Sequence, residues 1–294
     1  FILEGLGLEL VFDPGPIFKQ ELNSINYKQY NDIDRAIEHM TFQRDAIKFT
    51  RQKLAKDKSL IGFVGGLWTV LRFATGQNKV KKKFQNFYID FMETTLLEVI
   101  KQNIRLQLDA GAEIVMMFDS GISDLDNNFF RGKYHFLLKN ISNSFPNKVG
   151  YYARGKTYNE ISYLSDLPFA GLGVDNGVNM QHIFSNSKFG FIQGNFNEKN
   201  LLLDTKELES ELHIFSESMK NMDNLDGWVC GLGHGINKAT PEKNVHVFIL
   251  KLIYVILYIQ VRDIMQNQAY PNRCIRATKM NEHSSRSHWC VCVS

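Results

Sequence analysis

Seven polar side chains stand at or just beyond the ends of short apolar runs: Asp119, Ser120, Arg154, Asp175, Gln193, Asn195 and His234. They comprise carboxylates, a guanidinium, amides, a hydroxyl and an imidazole. Gathered at one place, such a set would recognise a polar ligand and move protons. His234 is the most suggestive of them. It lies in Gly231-Leu232-Gly233-His234-Gly235, where flanking glycines let backbone approach a ligand closely and leave the imidazole free. For each residue alone the plainer role is turn formation, which small polar residues and glycines also serve.

The apolar runs that carry these residues are Leu60–Val64, Glu113–Phe118, Val149–Tyr152, Ala170–Val174, Gly190–Ile192 and Gly227–Leu232. Short continuous apolar runs are the mark of strands covered on both faces, as in a parallel sheet. Between them the apolar spacing is helical: Phe84, Phe87, Phe91, then Leu97, Ile100, Ile104 and Leu108, with Gly111 as a C-terminal stop. Six βα units in series predict an α/β fold, and the pattern alone allows either a barrel or an open doubly wound sheet. In a barrel all the strand-end residues would share one mouth.

The 294 residues are 44% hydrophobic and 22% charged, the composition of a folded globular chain. A net charge of +3 with interleaved signs argues against nucleic acid, and Lys79–Lys83 reads as a solvated face. Cys230, Cys274, Cys290 and Cys292 show neither CxxC nor zinc-finger spacing, which points to free thiols in a reducing compartment. Cys230 precedes His234 by four positions, but no third ligand is spaced to complete a metal site. Ser120 lacks a nucleophile elbow, and no P-loop is present. Val245–Val261 is apolar except for His246, Lys251 and Gln260, and Lys251 favours a buried helix over a membrane span.

The strand-end strings resemble those of the uroporphyrinogen decarboxylase family in order and spacing. Gly62-Phe63-Val64-Gly65-Gly66-Leu67-Trp68-Thr69 is similar to G-F-x-G-x-P-W-T, with leucine where proline is usual. Ala110-Gly111-Ala112 with Phe118-Asp119-Ser120 resembles A-G-A…F-D-S, and Arg154-Gly155 stands where Lys-Gly is common. Gly171–Asp175 approximates the G-L-D segment, Gln193-Gly194-Asn195 matches Q-G-N, and Leu232–Ile236 with Thr240–Val245 matches L-G-H-G-I…T-P-x-x-N-V. Near the start, Gly7-Leu8, Phe12, Gly15-Pro16 and Phe18 resemble G-L…F…G-P-x-F.

The resemblance, over about residues 5–248, implies a (β/α)8 TIM-type barrel, here incomplete and lacking its N-terminal part. It also implies a cytoplasmic homodimer that decarboxylates uroporphyrinogen to coproporphyrinogen in haem and porphyrin biosynthesis, using no metal and no cofactor. In the family an aspartate contacts the pyrrole N–H groups and stabilises the developing cation, while cationic side chains hold the substrate carboxylates. The M-R-Q-A-G-R-Y motif and the F-S-D strand that carries this aspartate have no counterpart in the sequence, so its catalytic residue is unknown. Ser120 and His234 keep the family's substrate-binding identities. Phe73 stands at the family tyrosine without its hydroxyl, and Gly121-Ile122-Ser123 replaces W-A-G. Activity is therefore expected to be impaired, and a sheet without its first strand is expected to keep unpaired edges.

The tail resembles something else. Asn272-Arg273, Ala277-Thr278 and Met280–His288 are similar to the switch I region of kinesin motors, over about residues 262–292. With no P-loop and no switch II string, a motor is not expected. The division anticipated is a barrel-like body, 1–250, and a hydrophobic junction with a kinesin-like fragment, 251–294. Ser284, Ser285 and Arg286 are expected far from Ser120 and His234. Beside the enzyme reading stand a non-catalytic tetrapyrrole-binding protein and a kinesin-derived ATP- or microtubule-binding module. A zinc-dependent methyltransferase of the same barrel superfamily is disfavoured, because His234-Gly235-Ile236 lacks H-x-C.

Overall fold

The computed structural model describes residues 1–12, 16–76, 85–186, 188–222 and 225–269. Phe84, Gly15, the lysines of 79–83 and the switch I-like string with Ser284, Ser285 and Arg286 lie outside them. A short antiparallel hairpin, β1 (Leu10–Phe12) with β2 (Pro16–Phe18), stands apart from the main sheet. The main sheet is β3 (Ile61–Gly65), β4 (Ile114–Asp119), β5 (Val149–Ala153), β6 (Gly171–Gly173), β7 (Phe191–Phe196) and β8 (Trp228–Leu232). These six strands are all parallel, and their order in space is their order in the chain.

Every one of the six apolar runs read from the sequence contains or overlaps a strand. β7 alone extends well past its run, through Gln193-Gly194-Asn195, because those residues continue the ladder to β8. Sequential parallel pairing makes the wall of a (β/α)8 barrel rather than a doubly wound sheet, whose strand order must reverse. β3 and β8 do not pair, so the barrel is not closed.

Alternation explains why the wall holds. Val115, Met117, Tyr151, Leu172, Ile192, Trp228 and Cys230 occupy one side of the sheet and are essentially sealed from water. Helices cover them, including Leu67–Ala74, Leu97–Asp109, His135–Ser144 and Thr205–Lys220. The other side is the barrel interior, where Gly150 and Gly171 make room for larger neighbours. A Cβ on Gly150 would lie 2.1 Å from the Met116 sulfur, and one on Gly171 2.4 Å from the Phe191 ring. On the open flank Phe63 faces the same interior yet is 62% exposed.

The helical spacing after Gln85 is realised as Asn86–Phe91, a π-helical turn Met92–Leu96 and Leu97–Asp109. Gly111, at φ +112°, ends that run in the left-handed region that favours glycine. Gln107 on this helix does something the periodicity does not announce. The Phe63 N–H donates to its Oε1 (2.9 Å), and its Nε2 donates to the Phe63 carbonyl (2.8 Å). Gly66 N–H and the Leu60 carbonyl are bonded on the β4 side, so Phe63, one residue out of phase, presents its groups to the free edge of β3.

The apolar stretch Val245–Val261 lies within one helix, Glu242–Ala269, which runs through residue 250 without a break. It is buried on one side only. Phe248, Leu252, Val255, Ile256 and Ile259 are covered, whereas Leu250, Ile253, Tyr254, Leu257 and Tyr258 are exposed. Helices set against a partner by one face bury alternate stripes in this way. No described helix is long and apolar enough to cross a membrane.

Candidate functional site

The C-terminal ends of β5 to β8 form a compact polar mouth centred on His234. The Gly233 N–H donates to the Phe196 carbonyl (2.7 Å), tying the end of β8 to the end of β7. A Cβ on Gly233 would lie 2.7 Å from the Asn176 nitrogen, so only glycine lets the β6 loop pack this closely. Tyr152, at the inward register of β5, closes the other side. Its hydroxyl donates to the Gly233 carbonyl (2.8 Å) and lies 3.3 Å from His234 Nδ1. The two rings are parallel within 7°, with centroids 6.2 Å apart, and Phe118 meets Tyr152 edge-on at 5.8 Å. The phenol was hidden in the sequence because it sits inside an apolar run. Its signal was its place two residues before Arg154, which follows the same strand.

Asp175 and Asn195 build the rim. The Asp175 carboxylate accepts from the Gly155 N–H (2.5 Å) and from the Gly177 N–H (3.0 Å), bridging the loops after β5 and β6. Asn195 Nδ2 donates to the carbonyls of Asp175 (2.8 Å) and Val178 (2.7 Å), so this amide fixes the loop. Arg154 and Gln193 have no side-chain hydrogen bond or ion pair among the described residues, and both are partly exposed. Burial, and then the Arg154 charge, lower the His234 titration point, while Glu198 and Asp175 oppose them. Burial and then Asp175 push the Tyr152 phenol well above its ordinary value.

Asp119 does not join this mouth. Its side chain points to the helix layer, is fully buried, and accepts from Thr69 N (2.9 Å), Thr69 Oγ1 (2.7 Å), Tyr151 OH (3.0 Å) and the Tyr134 hydroxyl. Strand alternation is the reason: Phe118 takes the inward position, so Asp119 cannot. Ser120, one residue on, lies in the turn after β4, partly buried, and its hydroxyl has no partner among the described residues. Ser120 and His234 stand at the same end of the wall on different strands, with no hydrogen bond joining them.

Phe73 lies elsewhere. It lines an apolar cavity of about 230 Å³ with Phe1, Leu10, Phe18, Phe63 and Val70, beside the free edge of β3, and neither Ser120 nor His234 is part of that lining. A larger cavity of about 670 Å³ is lined by Asn176, Asn195, Asn200, Glu211, Phe215 and Met219. It meets the mouth at the β6 loop and at Asn195 on β7, and none of Arg154, Ser120, Tyr152 and His234 lines it, so the chemistry is better placed at His234. Cys230 is buried on the helix side of β8, and burial pushes its thiol far above the ordinary range.

Comparison with known proteins agrees with this architecture. The chain is 18% identical to a methyltransferase from Methanosarcina mazei, superposing with a TM-score of 0.68 over 85% of this chain and 76% of that one. A B12-independent methionine synthase from Shewanella superposes with a TM-score of 0.54 at 9% identity, over 76% and 67% of the two chains. These likenesses concern the fold. In sequence the chain is 29% identical over 266 residues to uroporphyrinogen decarboxylase of Orientia tsutsugamushi (strain Ikeda), covering 85% of this chain and 75% of the relative. It is 28% identical to that of Campylobacter lari, covering 83% and 74%. The family model Uroporphyrinogen decarboxylase (URO-D) matches residues 1–251, so the chain belongs to the uroporphyrinogen decarboxylase family.

Proposed function

We propose that the mouth formed by Arg154, Ser120, Tyr152 and His234 binds a polycarboxylate tetrapyrrole, with uroporphyrinogen as the substrate named by the family. One observation carries this reading. In a chain of this family, Arg154, Ser120 and His234 each follow the C-terminal end of a parallel strand, and the Tyr152 hydroxyl lies 3.3 Å from His234 Nδ1. Arg154 supplies the paired donors that carboxylates take, and His234 supplies an N–H donor that can also carry a proton. The inward register positions below include Met116, Phe118 and Phe191, beside Gln193 and Asn195.

Decarboxylation in this chain is expected to be weak. Stabilising a pyrrole cation needs a fixed carboxylate in a site closed to water. Here the wall is open beside Phe63, and Asp119 is turned away from the interior. Binding with little turnover is thus the second reading, favoured by the same open flank. Purified protein mixed with uroporphyrinogen should bind it and release little coproporphyrinogen. Near-normal product formation would overturn the impairment, and no binding would overturn the site. A cytoplasmic location and a homodimer, both implied by the family, are tested by cell fractionation and analytical ultracentrifugation. Microtubule co-sedimentation tests the kinesin-like string, which lies outside the described residues.

A further inference from the structure

The cavity of about 670 Å³ is large enough for a drug-sized molecule, and its charge is opposite to that of the mouth. Its walls come from the loop after β6, the helix Met180–Asn186, the turn Glu198–Leu202 and the helix Thr205–Lys220. Among the described residues that line it, Glu211 is the only charged one, and the other polar groups are the Ser218 hydroxyl and neutral amides. Glu211 Oε2 accepts from Asn200 Nδ2 (2.8 Å), and the carboxylate makes no ion pair among the described residues. Lys220, at the end of the same helix, is committed elsewhere: it pairs with Glu217 (3.1 Å) and lies over the Tyr254 and Tyr258 rings. The apolar part of the lining includes the buried Met180, Met219 and Met222, and Phe215, which is held edge-on against Phe196 with centroids 5.4 Å apart.

We propose that this cavity binds a protonated organic amine, its ammonium paired with Glu211 and its apolar body laid along the methionines and Phe215. The lining selects that class by exclusion. A carboxylate or phosphate ligand would meet a like charge and no cation. A neutral ligand closing over Glu211 would strip water from the charge and return nothing for it. An ammonium returns both the opposite charge and N–H donors, and the amide oxygens around it can accept the donors that Glu211 leaves over. A metal ion is a poorer fit, because no group of three His, Cys, Asp or Glu among the described residues could hold one. Methionine thioethers are flexible and polarisable and adapt to a range of apolar shapes, and an aromatic face adds attraction for a cation. The ligand is opposite in charge to the polycarboxylate proposed for the mouth, so this inference stands or fails apart from the tetrapyrrole reading.

The test is an NMR titration of full-length protein carrying 13C-methyl methionine, with the signals of Met180, Met219 and Met222 assigned by single replacement with leucine. The probes are hexylamine, hexanol and hexanoate at neutral pH, which share an apolar body and differ in the charge of the head. Hexylamine, as its ammonium, should move the three methyl signals saturably and leave Met116 in the barrel interior unmoved. Hexanol should bind about tenfold more weakly, as loss of a charge-assisted contact predicts, and hexanoate should not bind. This comparison needs no substitution. Glu211→Gln keeps an acceptor for Asn200 and should retain the parent melting temperature. It should weaken hexylamine about tenfold and abolish its advantage over hexanol. Glu211→Asp, which keeps the charge, should preserve the order of the three probes. Methyl signals that stay still with hexylamine, equal binding of the three heads, or unchanged hexylamine affinity in folded Glu211→Gln overturns the proposal.

Discussion

Replacing Asp119 with asparagine should destabilise the fold in a way that depends on pH with a definite sign. The carboxylate is sealed from water and receives four donors. Asparagine can keep Thr69 N–H and Thr69 Oγ1 on its carbonyl, but it places an NH2 group against the Tyr134 and Tyr151 hydroxyls. Tyr151 can turn to accept. Tyr134 already accepts from the Trp68 N–H (3.0 Å), so its own hydrogen is left without a partner. Losing one or two bonds of this kind costs about 2–4 kcal/mol, given roughly 1–3 kcal/mol for each buried group left unsatisfied. Desolvation raises the Asp119 titration point above its ordinary value, although all its hydrogen bonds oppose the shift. A carboxyl raised by folding holds its proton longer in the native state than in the unfolded one. Its contribution is whole below the unfolded value and falls as pH rises through the folded value, at up to about 1.4 kcal/mol per pH unit. The deficit of Asp119→Asn against the parent should therefore be largest in mild acid and shrink toward neutral pH. Urea unfolding of both proteins across that range measures it. A deficit that grows with pH, or one below about 0.5 kcal/mol throughout, a size typical of an unremarkable surface change, refutes the account.

Three other outcomes follow from the geometry. Gly171→Ala drives a methyl into the Phe191 ring and should cost about 1–3 kcal/mol in urea unfolding, the usual penalty for overpacking. Tyr134→Phe removes both the acceptor of the Trp68 N–H and a donor to Asp119, and should lower stability by about 2 kcal/mol in the same assay. His234→Asn and Arg154→Gln should each weaken uroporphyrin binding about tenfold or more, as loss of a charge-assisted contact predicts. Fluorescence quenching checks this, and the melting temperature should stay unchanged.

The strands were legible because each is a short apolar run closed by glycine or a small polar residue, a local signal. The side a strand-end residue faces was not, since it follows from register. Asp119 and Ser120 are adjacent in the sequence, yet one is buried under helices and the other stands in the turn above. Tyr152 was masked by its apolar neighbours. Gln107 likewise read as a polar position on a helix, because nothing in helical spacing reveals that its amide meets a strand.

That amide changes what it means to extend the sheet. A strand arriving beside β3 cannot simply dock, because Gln107 already occupies the donor and acceptor of Phe63. It must displace the side chain, so at that position two hydrogen bonds are exchanged for two others and the net gain is small. The drive for such a strand exchange has to come from apolar burial. Phe63 supplies it: covering its largely exposed ring should contribute about 1–2 kcal/mol. The seam therefore selects its occupant by the hydrophobic face it brings, and a polar strand gains nothing by displacing the glutamine.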